Sequence, residues 1–141
     1  MPTRSTQQYG VLALRLTLGV ILVAHSLLKA VVFTMPGTVK YFQSLGLPGV
    51  LAYVTVTTEF VVGALFIVGY QTRIAAFAVL PILLGATWIH LPNGWVFNAP
   101  NGGWEYPLFL SVAVVVQALL GDGAFALGSV GSESHSRHAR A

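Results

Sequence analysis

The chain has 141 residues, of which 55% are apolar and 8% charged, with a formal net charge of +3. Ordinary globular domains carry roughly 25% charged residues, and so short a chain cannot hide this much apolar surface, which argues against a water-facing fold and for a membrane protein. The basic residues are scattered, leaving no clustered face for nucleic acid, and the absence of cysteine removes disulfides, thiolate nucleophiles and cysteine-ligated iron–sulfur clusters.

A helix that crosses a bilayer needs about 20 consecutive apolar residues. The first such run covers 10–33. Arg4 ahead of it imitates the start of a signal peptide, but Arg15 interrupts the run and no small-x-small cleavage site follows, so the run is expected to persist as a span. The connection TMPGTVKYFQSLGLPG comes next, with turn signals at Met35-Pro36-Gly37 and Gly46-Leu47-Pro48-Gly49. Between them Tyr41, Phe42 and Leu45 fall on one face, opposite Lys40, Gln43 and Ser44, as in a short helix lying on the membrane surface. The second span covers 49–69 and the third 72–91, with Pro81 inside it. A loop from Pro92-Asn93-Gly94 to Gly102-Gly103 leads to the fourth, 104–120, where Pro107 falls harmlessly in the first turn. The expected fold is all-α, an integral membrane bundle of four transmembrane helices with one interfacial helix, forming a single domain over 1–127. The glycine- and serine-rich remainder, 128–141 with His135 and His138, is expected to be a disordered cytoplasmic tail.

Positive charges near span ends mark the cytoplasmic side. Arg4, Arg73, Arg137 and Arg140 fall on one side; Lys40 and the shallow Lys29 fall on the other, which has no Lys or Arg between spans three and four. Both termini are therefore expected in the cytoplasm.

The unusual feature of the spans is their ionisable residues, which are costly in lipid and call for a partner or a task. Span one carries Arg15, His25, Ser26 and Lys29 along one stripe, expected to face the bundle interior. Glu59 lies near the middle of span two, too deep for so short a side chain to reach the surface, at a depth similar to His25 and not far from Lys29. Contact of Glu59 with Lys29 or His25 is therefore expected. TWIHLPNGW and GGWEYP add His90, Trp104 and Glu105 at the same end. His25, Lys29, Glu59, His90, Trp104 and Glu105 together form a candidate ligand site: donors for quinone carbonyls, a proton relay and aromatic walls. Two other readings of the residues stand beside it. The polar groups can be structural, pinning helix register through interhelical hydrogen bonds, or His25 and His90 can hold a haem. Arg15 and Arg73 are read as structural polar residues. No residue is assigned as catalytic and no metal site is expected.

RLTLGVILVAHSLLK, YFQSLGLP, TEFVVGALFIVGYQTRIAA and GGWEYPLFLSVAVVVQALLGDGAFAL, in that order, resemble the DoxX family of small four-helix bacterial membrane proteins, over about residues 10–127. The most specific features are the H-x-x-x-K pair, the L-G-L-P before span two, the glutamate within it and the GYQTR turn. The resemblance implies residence in the bacterial cytoplasmic (inner) membrane, a partner enzyme or a homo-oligomer, and a link to membrane oxidoreductases, including thiosulfate:quinone enzymes and oxidative-stress assemblies. Carried over by position, the family's polar anchors are His25, Lys29, Glu59, Arg73 and Glu105. The 141 residues contain no stretch resembling the partner subunit of the thiosulfate enzymes, so that specific activity is not expected of them. The expected function is a membrane subunit of a redox system with a quinone as its candidate non-covalent cofactor. A scaffold or assembly factor for a partner enzyme, and a small-solute transporter, are the rival expectations.

Overall fold

The computed structural model describes residues 5–128. The calls on Arg4 and on residues 129–141, including His135, His138, Arg137 and Arg140, lie outside them. The described residues form five α-helices and no strand. Helix α1 (Thr6–Leu27) is capped by Ser5, whose hydroxyl accepts from the amide of Gln8 at 3.4 Å. It passes directly into a five-residue π-helical turn, Leu28–Val32. Helix α2 (Met35–Ser44) follows, then α3 (Val50–Val68), α4 (Thr72–His90) with a 3₁₀ turn at Leu91–Asn93, and α5 (Glu105–Leu120).

Three segments are long and apolar enough to cross a membrane: Thr6–Val32, Val50–Val68 and Thr72–Asn93. Helix α5 is apolar but has 16 residues, about 24 Å at 1.5 Å per residue, against a hydrocarbon core of about 30 Å. Two boundaries differ from the sequence expectation. Met35-Pro36-Gly37, read there as a turn, is the first turn of α2, because Thr34 caps it and proline suits a position whose amide needs no partner. Trp104, read as the start of the last span, is the N-cap of α5.

The helices close into a ring in which α1 packs on α3, α3 on α4, α4 on α5 and α5 back on α1, with α2 laid against α3 and the π-turn. Leu18, Leu22, Val62, Phe66, Val79 and Val114 fill the centre. The closest approach is between α1 and α3, where Gly19 faces Gly63. A Cβ built on either would lie 2.8 Å from the other's carbonyl oxygen, so only glycine admits this crossing. The outside is strongly apolar: Phe77 is 65%, Phe109 67% and Leu119 75% exposed. Small residues at a helix crossing, as at Gly19 and Gly63, let backbones pack tightly where burial alone drives nothing. The ring has two ends. The terminal end holds the start of α1, the α3–α4 turn and the end of α5; the far end holds the π-turn, α2 and the 94–103 loop.

Candidate functional site

At the far end the Lys29 ammonium grips the Glu59 carboxylate by both oxygens, at 2.9 and 2.7 Å. The side chains are unequally placed, Glu59 6% exposed and Lys29 23%. The expected partner of Glu59 is thus Lys29. The backbone that delivers Lys29 is irregular, since the π-turn adds one residue to the helical repeat just where the lysine must reach α3. Two residues beyond that turn, Thr34 adopts φ 64°, a conformation rare for a β-branched residue. The Thr38 hydroxyl then donates to the Lys29 carbonyl at 2.7 Å, tying α2 to the π-turn. One turn inward the Ser26 hydroxyl donates to the Val56 carbonyl at 2.9 Å, a second clasp between α1 and α3.

His25 approaches the same region from α1. Its Nδ1 lies 2.9 Å from the Ile21 carbonyl oxygen. A carbonyl can only accept, so Nδ1 carries the proton and a neutral ring leaves Nε2 as an acceptor. The ring stacks on Tyr106 of α5, centroids 5.8 Å apart and planes 26° from parallel. The ammonium of Lys29 has three N–H donors, two of which go to Glu59. A donor, a carboxylate, an imidazole acceptor and an aromatic wall therefore meet where α1, α3 and α5 converge. Chemically this set can bind a group carrying both a carbonyl and a hydroxyl.

His90, Trp104 and Glu105 share this end but have other partners. His90 Nδ1 bonds the Ala86 carbonyl at 2.7 Å, and its ring lies under Gly102, where a Cβ would come within 3.2 Å of it. The Glu105 carboxylate accepts from the Phe97 amide at 2.9 Å. Trp104 meets Trp95 edge to face at 4.4 Å. These three order the 94–103 loop, together with the Asn93 side-chain amide, which donates to the Asn101 and Gly102 carbonyls at 3.1 and 2.9 Å. Among the described residues no hydrogen bond or ion pair links them to Lys29 or Glu59. The sequence-derived set thus divides into a Lys29–Glu59 pair, His25 one turn away on α1 and stacked on Tyr106, and an aromatic loop above them.

A second polar centre sits at the terminal end. Arg15, 1% exposed, donates from Nη1 to the Phe66 carbonyl at 3.1 Å and from Nη2 to the Ala124 carbonyl at 3.0 Å. It caps the C-terminus of α3, where a cation complements the helix dipole, and it pins the segment after α5. Gly69, at φ 71°, ends α3 beneath it; a Cβ there would fall on Arg15 Nη1. Asp122 does the opposite service for α4, accepting from both the amide and the hydroxyl of Thr72. The buried Gln117 donates to the Gly121 carbonyl at 2.7 Å. Arg73 is exposed beside Gly121. Sequence reasoning gave Asp122, Thr72 and Gln117 no part. The available signal was GDG one residue past the last span, an acid placed on the arginine-rich side.

The model of the DoxX family matches residues 10–92. The chain belongs to the DoxX family. The matched stretch holds Arg15, His25, Lys29, Glu59, Arg73 and His90, and this DoxX protein is accordingly a membrane protein. Over 79 residues it is 38% identical to a Bacillus subtilis (strain 168) protein named "Putative oxidoreductase CatD", covering 56% of this chain and 58% of that relative. The match therefore spans little more than half the relative's length. No solved structure matches the chain.

Proposed function

We propose that this DoxX protein is the membrane subunit of a redox system, and that it binds a quinone or quinol head group against His25, Lys29 and Glu59. The observation that carries the reading is the buried Glu59 held by Lys29 on a π-helical turn, with the free Nε2 of His25 one turn away. Irregular helix turns cluster at functional sites, and ionisable groups in a membrane interior mark relays and ligand sites. A quinone carbonyl takes a hydrogen bond from Lys29; a quinol hydroxyl gives one to His25 Nε2. Tyr106, stacked on His25, supplies an aromatic wall. The name of the Bacillus relative supports a redox connection. In this reading four helices cross the cytoplasmic membrane of a bacterium with both termini inside, the short α5 being anchored at its far end by the interfacial Trp104 and Tyr106.

The reading is tested by extracting small molecules from the detergent-purified protein for mass spectrometry, wild type beside Glu59→Gln and His25→Ala. Quinone retained by the wild type and lost from both variants is the expected result. Quinone in none of the three ends the proposal. The second reading, a scaffold that holds a partner enzyme, draws on the closure of the Lys29–Glu59 pair upon itself. It predicts that the same variants lower thermal stability and partner retention while turnover of the assembled enzyme is unchanged.

A further inference from the structure

Two cavities at the terminal end meet at one residue. The first, about 310 Å³, is lined by Gln71, Thr72, Arg73, Leu120, Gly121 and Asp122 and is polar. The second, about 330 Å³, is an open apolar groove between α3 and α4, with Val61 and Leu65 on one wall and Ile74 and Ala78 on the other. Gln71 belongs to both. From Gln71 to Ala78 the groove runs about 10 Å along α4. A polar chamber at the membrane surface that opens into an apolar channel along the helices has the form of an amphiphile.

The charges decide which amphiphile. Asp122 also lines the polar chamber, but its Oδ1 is turned onto the N-terminus of α4, where it accepts from the amide and hydroxyl of Thr72. Arg73 forms no ion pair among the described residues, and its guanidinium lies beside Gly121. The chamber thus offers a cation and the Gln71 amide to a ligand. A quinone head carries no negative charge to complement Arg73, whereas a phosphate diester joined to an acyl chain does. We infer that this end of the protein holds one anionic phospholipid, its phosphate on Arg73 and Gln71 and one acyl chain in the α3–α4 groove. The phosphate end lies at the opposite end of the bundle from the Lys29–Glu59 pair, while the groove runs up α3 as far as Thr57 and Thr58; neither cavity is lined by His25, Lys29 or Glu59.

Native mass spectrometry of the full chain, titrated with phosphatidylglycerol or phosphatidylcholine, tests it. One phosphatidylglycerol is expected to stay bound at concentrations where phosphatidylcholine does not. Arg73→Gln should weaken its retention about fivefold, the value of one basic residue at an anionic surface, while Arg73→Lys keeps most of it. Ala78→Trp, which fills the groove from an exposed position, should weaken it without touching the charge. Equal retention of the two lipids, indifference to both Arg73→Gln and Ala78→Trp, or displacement by inorganic phosphate alone would each overturn the site.

Discussion

Lys29 and Glu59 are partners of unequal depth, and removing them should not have equal effects. Lys29→Met leaves a nearly buried carboxylate without a counter-charge, which costs about 3 kcal/mol when a buried pair is broken from one side. Glu59→Gln leaves an ammonium on a long stem already 23% exposed, which can bend toward the headgroups. We expect the lysine variant to lose at least twice the stability of the glutamate variant in denaturant unfolding of the detergent-solubilised protein; the reverse order would show that Glu59 already reaches water. That Glu59 needs a partner on span one was legible in the sequence, because so deep a carboxylate is costly alone; whether Lys29 or His25 meets it was not, and the structure gives Lys29. The role of Arg15 was not. Helical periodicity placed it on the same stripe as Lys29, and it does face inward, but its partners are carbonyls from the ends of α3 and the segment after α5. Backbone acceptors at a helix end leave no mark in the sequence pattern.

Among the elements, α1 and α3 are held by the tightest contact and should be the least tolerant of added volume. In Gly63→Leu the new side chain would begin 2.7 Å from Val23 Cγ2 and 2.8 Å from the Gly19 carbonyl oxygen, so overpacking should cost about 1–3 kcal/mol. Gly85 of α4 meets nothing within 4 Å. Gly85→Ala should therefore gain helix propensity, about 0.5–1 kcal/mol. Thermal unfolding of the two variants side by side checks the contrast, and a tolerant Gly63 would mean that the helices separate at this crossing. The apolar runs revealed the three long helices within a few residues of their ends. They did not reveal the π-turn, since LLKAVVF reads as ordinary α-helix until the lysine has to meet Glu59.

For the whole molecule the open question of topology has a direct test, because the chain has no cysteine and single cysteines can be introduced without background. With four crossings, Asn98→Cys in intact cells should react with an impermeant maleimide, whereas Ser5→Cys and Gly128→Cys should react only after permeabilisation. Opposite exposure of Ser5 and Gly128 would mean that α5, at 16 residues, does not cross. Composition alone determined that this chain belongs in lipid and is helical: every backbone group there must be satisfied within its own segment, and runs of about 20 apolar residues do so as helices. The same cost of burying charge in lipid made it visible that Glu59 must meet Lys29 or His25. Only the tertiary structure decided that His90, Trp104 and Glu105 order a loop while His25 stacks on Tyr106. It alone also brought Arg15, Thr72 and Asp122 together at the other end, through residues 50 to 109 positions apart. Those contacts depend on how four helices rotate about their axes and where their ends stop, and a rotation of part of a turn changes every partner while leaving each helix equally apolar.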